Sequence, residues 1–218
     1  MRVLALRMGP AGPEVALLGG TSGPLQRQRA GARAEALAPL LAASLTEAGL
    51  RFADLDALAV LTGPGSFTAI RAAVAAARAL ALATGLRVHA LSSLELAAET
   101  VAESGSGPLM VVAPAGRGML AVQRFEDGAA PAGPPVSLEP AAAIAWAETA
   151  ERVVLVDLEA WPGPAACRLR TSALALARVA VARAARRISA LPGTAVRPLY
   201  IRSPDARAEA GRPLVAAA

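Results

Sequence analysis

Lysine is absent from this 218-residue chain, and cysteine and histidine occur once each, as Cys167 and His89. Without lysine there is neither a P-loop lysine nor a Schiff-base lysine. One cysteine cannot close an internal disulfide, and one Cys with one His falls short of a usual structural zinc site. A Ser/His/Asp triad would have to use His89. That residue sits inside the apolar run Val88-His89-Ala90-Leu91, which reads as a strand carrying a half-buried histidine rather than a catalytic base. Long apolar runs are missing as well. None reaches the roughly 18 residues of a membrane-spanning helix, and the longest candidate, Ala72 to Ala83, is interrupted by Arg78. Met1 to Leu6 is too short and lacks the layout of a secretory signal. The expectation is a soluble, cytoplasmic protein with no membrane partner.

What is present is apolar and arginine-rich. Hydrophobic residues make up 55% of the chain, enough to bury a core in one large domain or two small lobes. All 22 basic residues are arginine, and their distribution is uneven. Residues 1–167 carry 12 Arg against 15 carboxylates, a net of −3; residues 168–218 carry 10 against 2, a net of +8. A basic C-terminal quarter suits contact with RNA phosphates. It equally suits ordinary solvated helix faces in an arginine-rich composition. Arg183, Arg186, Arg187 and Arg197 are the candidate RNA contacts.

Patterning implies a mixed α/β chain. Arg2–Leu6 and Glu14–Leu18 flank a Gly/Pro turn and predict a hairpin. Residues 19–31 read as loop. Leu37, Leu40, Leu41 and Leu45 predict a helix over Arg33–Ala48. Ala57–Leu61 predicts a strand, followed by a helix over Phe67–Thr84 that Gly85 stops. Between Ala69 and Ala83 that helix is alanine at nine of fifteen positions, with Arg71 and Arg78 as its only charges. So apolar a helix should be covered on more than one side, by its own chain or by a partner subunit. Val88–Leu91 predicts a strand. Ser92-Ser93-Leu94-Glu95 is a capping box that opens a helix to about Glu103. Ser104-Gly105-Ser106-Gly107-Pro108 reads as a linker, dividing a first lobe, 1–105, from a second, 106–218, whose C-terminal tail has a route back to the first. The second lobe predicts strands at Leu109–Ala113, Met119–Phe125 and Val153–Val156, a loop from Asp127 to Pro135, and helices over Glu139–Thr149 and Ser172–Ile188. Strands that first form a hairpin and then alternate with helices, in a scheme that partly recurs, suggest two related lobes.

The most informative run is Leu61-Thr62-Gly63-Pro64-Gly65-Ser66-Phe67-Thr68-Ala69-Ile70-Arg71. A buried strand turns through two glycines flanking a proline and launches a helix capped near Ser66. Such a start can bind an anion, although the spacing fits neither the P-loop nor the dinucleotide pattern. The run resembles the G-P-G-S-F-T-G-[LI]-R signature of the TsaB/YeaZ family and departs from it at Ala69. The family motif maps to Gly63, Pro64, Gly65, Ser66, Phe67, Thr68 and Arg71. The flanks Glu47–Leu50, Asp54–Val60, Gly85–Val88 and Leu91–Glu95 follow in the family's order, as do Pro198–Arg202 and Pro204–Ala206.

The resemblance implies a two-lobed actin-like/sugar-kinase-like ATPase fold with a shortened second lobe. It also implies a non-catalytic subunit that pairs with the related catalytic subunit TsaD and works with the ATPase TsaE. Together these transfer threonylcarbamoyl from its adenylate to the adenosine beside the anticodon in tRNAs reading codons that start with A. Pairing in the family uses the first two helices, here around Leu37, Leu40, Leu41, Arg71, Ala72, Ala75, Ala76 and Ala79. Ala76→Glu would place a charge in that contact.

Departures from the family bear on chemistry. Where members commonly carry Asp-Thr-Ser after the first strand, this chain has Arg7, Met8 and Gly9; where they often have Asp-Ala-Arg, it has Pro114, Ala115 and Gly116. A histidine frequent before the first helix corresponds to Arg33. These losses argue against autonomous ATP hydrolysis, and this reading includes no cofactor and no metal. A catalytic transferase or sugar kinase of the superfamily would need a second histidine or a longer chain. A metalloprotease would need ligands clustered near His89, which Asp54, Asp56, Asp127, Asp157 and Asp205 do not supply in sequence. The remaining alternative is a self-associating homodimeric module of the same fold, paired through the same helices and without the tRNA role.

Overall fold

The structure is a computed structural model that describes residues 1–20, 23–102 and 105–201. The predicted tail residues Arg202 and Pro204–Ala206, and Glu103 and Ser104 in the linker region, lie outside the described residues.

β1 (Val3–Gly9) and β2 (Gly12–Leu18) form the predicted hairpin, antiparallel from Val3↔Leu18 to Gly9↔Gly12. The segment after it, expected to be loop, contains β3 (Leu25–Gln28), which pairs with β2. α1 (Leu37–Glu47), β4 (Ala57–Leu61), α2 (Phe67–Thr84), β5 (Val88–Leu91) and α3 (Ser93–Ala102) follow. Gly85 ends α2 in the left-handed conformation, φ +73°, its N–H bonded to the Ala81 carbonyl, as a residue without Cβ does at low cost. The capping box at α3 is present in full: Ser92 N–H donates to Glu95 Oε2 at 2.7 Å, and Glu95 N–H to Ser92 Oγ at 3.0 Å.

β6 (Leu109–Gly116), β7 (Met119–Phe125), β8 (Val136–Leu138), α4 (Pro140–Glu148), β9 (Val153–Val156), β10 (Cys167–Leu169) and α5 (Ala173–Ala185) complete the elements. β8 and β10 are three-residue edge strands that the sequence reading does not contain. The sheet orders are β3-β2-β1-β4-β5 and β10-β9-β6-β7-β8. In each, an antiparallel meander is extended by two parallel strands. The second sheet thus repeats the first strand by strand. α4 occupies the place of α1 and α5 that of α3, while α2 has only a loop, residues 157–166, as its counterpart. This is the shortening of the second lobe.

The sheets exchange their last helices. Leu94, Ala97, Ala98 and Val101 of α3 pack on Leu109, Val111, Phe125 and Val154 of the second sheet. Ala173, Leu176, Ala177 and Ala180 of α5 pack on Val3, Ala5, Ala16 and Ala59 of the first. Those first-sheet residues are small, which lets α5 lie close. The larger Leu4, Leu6, Leu17, Leu58 and Val60 point the other way, under α1 and α2. With both faces covered, Val3 to Leu6 is buried without interruption. The return to the first sheet therefore begins at Ala173. It continues in a strap after α5: Leu191 bridges Val88 at the edge of the first sheet, and Val196 is fully buried in the core beneath α2.

Candidate functional site

The Gly63–Arg71 segment joins three parts of the first lobe. Gly63 has φ +119°, and a Cβ there would meet Ile70 Cδ1 at 2.8 Å and the Leu199 carbonyl at 3.2 Å. Its own carbonyl accepts from Ser93 N–H at 2.7 Å, at the start of α3. Leu199 N–H donates to the Thr62 carbonyl at 2.9 Å, tying the strap to the same turn. Ser66 is the N-cap residue of α2, but its side chain makes no capping hydrogen bond, contrary to the reading that it caps the helix. Phe67 instead stacks on Tyr200, ring centroids 5.1 Å apart, and the Arg71 guanidinium lies 4.9 Å from the Phe67 ring centroid. The motif thus anchors the strap on α2, while Gly65, Ser66, Phe67, Thr68 and Arg71 stay exposed.

The predicted pairing residues divide between two faces. Leu37 and Leu41, each 3% exposed, belong to the core of the first lobe and are not available to a partner. Their spacing marks the inward stripe of α1. Leu40 and Ala76 are half-buried against the same core, and Ala72 is half-buried. Arg71, Ala75 and Ala79 face outward, joined by Ala83 and by Leu82, which is 84% exposed. Leu82, outside the predicted set, lies seven residues from Ala75 and three from Ala79, on the same stripe. Alongside, α1 exposes Ala38, Pro39, Ala42 and Ala43. By length and composition α2 is apolar enough to cross a membrane. This corrects the expectation that no segment is, because Arg71 and Arg78 interrupt the run without making the helix polar. Its face of Ile70, Ala73, Val74, Ala77 and Ala81 is buried in the core under α2.

Of the four candidate RNA contacts, Arg183 and Arg186 are paired with a carboxylate of the same chain. Arg183, its side chain 17% exposed, donates through Nε to Glu99 Oε1 at 2.6 Å; Arg186 Nη2 donates to Glu99 Oε2 at 2.6 Å. Glu99, on α3, is buried and takes both charges. Arg187 and Arg197 are exposed. Arg197 donates to the Thr194 and Val196 carbonyls within the strap.

His89 is 4% exposed. Burial, and then the nearby Arg183 charge, push its imidazole below the ordinary value, with Glu99 pulling the other way. That environment suits a neutral core histidine. Asp54 is held below the usual carboxylate range by hydrogen bonds from Arg51, with which it caps a short turn. Asp56 accepts from the Arg2 N–H at 2.6 Å. Among the described residues no three or more His, Cys, Asp or Glu side chains come together as a metal site.

Arg7 is buried between the sheets. Its Nε is 2.7 Å from Glu14 Oε2, an ion contact with the N–H turned off the line of a hydrogen bond. Its Nη1 donates to Thr171 Oγ1 and lies 3.9 Å from Asp157 Oδ2. The carboxylates beside it are therefore occupied by a side-chain cation. Beyond Asp157 an open pocket of about 480 Å³ is lined by Leu158, Glu159, Arg168, Leu169 and Arg170. Pro114 is exposed where β6 is interrupted by a bulge.

Comparison with known proteins places these features in context. The sequence model of the family described as "TsaD: tRNA N6-adenosine threonylcarbamoyltransferase" matches residues 27–146. An uncharacterised protein of Mycobacterium tuberculosis is 36% identical over 181 residues, 81% of this chain and 78% of that protein. The tRNA N6-adenosine threonylcarbamoyltransferase of Erythrobacter litoralis is 42% identical over 64 residues, 29% of this chain and 19% of that enzyme. The crystal structure of an uncharacterised Pseudomonas aeruginosa protein, described as similar to the peptidase YeaZ, superposes with a TM-score of 0.73 at 26% identity. It covers 92% of this chain and 99% of that one. The structure of YeaZ from the same organism superposes at 0.72 with 24% identity, over 91% of this chain and 99% of that one, and bears on fold alone.

Proposed function

The chain belongs to the TsaD-related family, in its TsaB/YeaZ branch, and on that premise we propose that it is a non-catalytic scaffold subunit of tRNA threonylcarbamoylation. It has the actin-like/sugar-kinase-like ATPase fold with a shortened second lobe. In this reading it pairs with a TsaD-type catalytic subunit in the cytoplasm and works with a TsaE-type ATPase. The modified base is the adenosine beside the anticodon in tRNAs reading A-starting codons. The observation that carries the reading is the outward face of α2, where Ala75, Ala79, Leu82 and Ala83 form an apolar strip beside the exposed alanines of α1. Small side chains let a partner helix approach closely, and Leu82 offers a large side chain to bury. A specific complex would cover about 1,200–2,000 Å² in all. Arg7 supports the non-catalytic part, since its guanidinium lies against Glu14 and near Asp157.

The same strip favours a second reading, self-association, because a helix face with little charge can meet its own copy about a two-fold axis. One experiment separates the two. The purified chain is mixed with the TsaD-type protein from the same source, and the mass is determined by size exclusion with light scattering. A one-to-one heterodimer is expected. Ala79→Glu, on the outward face, should abolish it without changing the melting temperature; Ala76→Glu is a poorer probe, because Ala76 also packs on its own core. Persistent separate species with TsaE-type ATPase and nucleotide present would overturn the pairing.

A further inference from the structure

The cluster around Arg7 does more than occupy space. Arg7 leaves β1 in the first sheet and is 7% exposed; Glu14, on β2, is 3% exposed. Glu14 Oε1 also accepts from Gln26 Nε2 at 2.5 Å and from the Ala173 N–H at 3.2 Å. Across the cleft, Asp157 follows β9 of the second sheet in the left-handed conformation, φ +49°. Its Oδ1 accepts from Thr171 N–H at 3.0 Å, and its Oδ2 from Thr171 Oγ1. Each carboxylate thus holds a backbone N–H at the start of α5, and Arg7 lies between them.

Separating the sheets would take Asp157, whose side chain is 28% exposed, away from Arg7 and Thr171 while leaving the guanidinium against Glu14. Breaking a buried charge cluster on one side is far more costly than never forming it, so the arrangement is whole or strongly disfavoured. We propose that Arg7 is a built-in cation that locks the two sheets in one relative placement, so that the cleft is a fixed joint rather than a hinge, and that the space its guanidinium fills recognises a planar cation. The inference holds whether or not the chain pairs with another subunit.

Cys167, the only cysteine, is exposed on β10 of the second sheet. With Ala83→Cys on α2 it gives a spin-label pair across the joint. The parent should show a single narrow distance distribution. Arg7→Ala should broaden it and speed amide exchange at Thr171 and Ala173 about tenfold or more. Low-millimolar guanidinium chloride should restore the narrow distribution, while sodium chloride at the same concentration should not. A variant distribution as narrow as the parent's, or equal restoration by both salts, overturns the proposal. Should Arg7→Ala not fold, Asp157→Asn keeps the Arg7–Glu14 contact and removes the charge across the cleft. Broadening in that variant supports the lock, and an unchanged distribution overturns it.

Discussion

Replacing Glu99 by Gln removes the carboxylate that holds both Arg183 and Arg186. Glu99 is 8% exposed and Arg183 17%, so that pair is largely shielded from water; Arg186, 50% exposed, is screened. Losing one partner of a buried ion pair typically costs about 3–5 kcal/mol. The glutamine keeps one acceptor oxygen for a neutral hydrogen bond, which recovers about 1 kcal/mol. The Arg186 contact contributes at most about 1 kcal/mol given its exposure. The expected net loss is about 2–4 kcal/mol. At about 2–4 °C per kcal/mol for a chain of this size, the midpoint should fall by roughly 5–15 °C. Urea unfolding followed by circular dichroism gives the free energy, and a thermal scan gives the midpoint. Arg186→Ala alone should cost about 1 kcal/mol or less. A loss below about 0.5 kcal/mol for Glu99→Gln would refute the argument that these arginines are structural, and they would return as free RNA-facing charges.

Gly63→Ala should cost about 2–3 kcal/mol, because φ +119° strains any side chain and the new methyl meets Ile70 and the Leu199 carbonyl; a stability equal to that of the parent in urea would show that the strap does not depend on this turn. His89 supplies a pH dependence with a defined sign. Its folded value is depressed, so the unfolded chain takes up the proton first as the pH falls. Its contribution is complete above the unfolded value of about 6.5 and is lost on acidification below it, with a slope of up to about 1.4 kcal/mol per pH unit. His89→Gln should remove that slope, and unfolding curves at pH 7.5 and 5.5 with the same difference in both proteins would exclude His89 as its source.

The sequence is most legible where the chain is punctuated. β4, α2 and β5 have the predicted bounds because Gly63-Pro64-Gly65 and Gly85 break the pattern sharply, and Ser92–Glu95 forms its capping box from neighbours only three residues apart. β3, read as loop, has one apolar residue in four; its strand state comes from backbone pairing at the sheet edge, which side-chain alternation does not record. β8 and β10 have three residues each, too few to display a period. The candidate site was legible in the motif and in part of α2. The sequence reading makes the apolar stripe of α1 a partner surface, whereas Leu37 and Leu41 lie in the core, because amphipathicity shows that a face is buried and not what buries it. The arrangements around Glu99 and Arg7 join residues 84 to 164 positions apart, beyond any local signal.

The exchange of α3 and α5 between the sheets bears on how the chain is made. A ribosome that has delivered residues 1–102 has supplied every strand of the first sheet, yet Val3, Ala5, Ala16 and Ala59 still lack their cover, which is residues 173–185. The nascent first lobe must carry an open apolar face until α5 has left the exit tunnel, and Val196 comes later still. A fragment ending at the linker would be left in that same unfinished state, with the surface that α5 normally covers open to other chains.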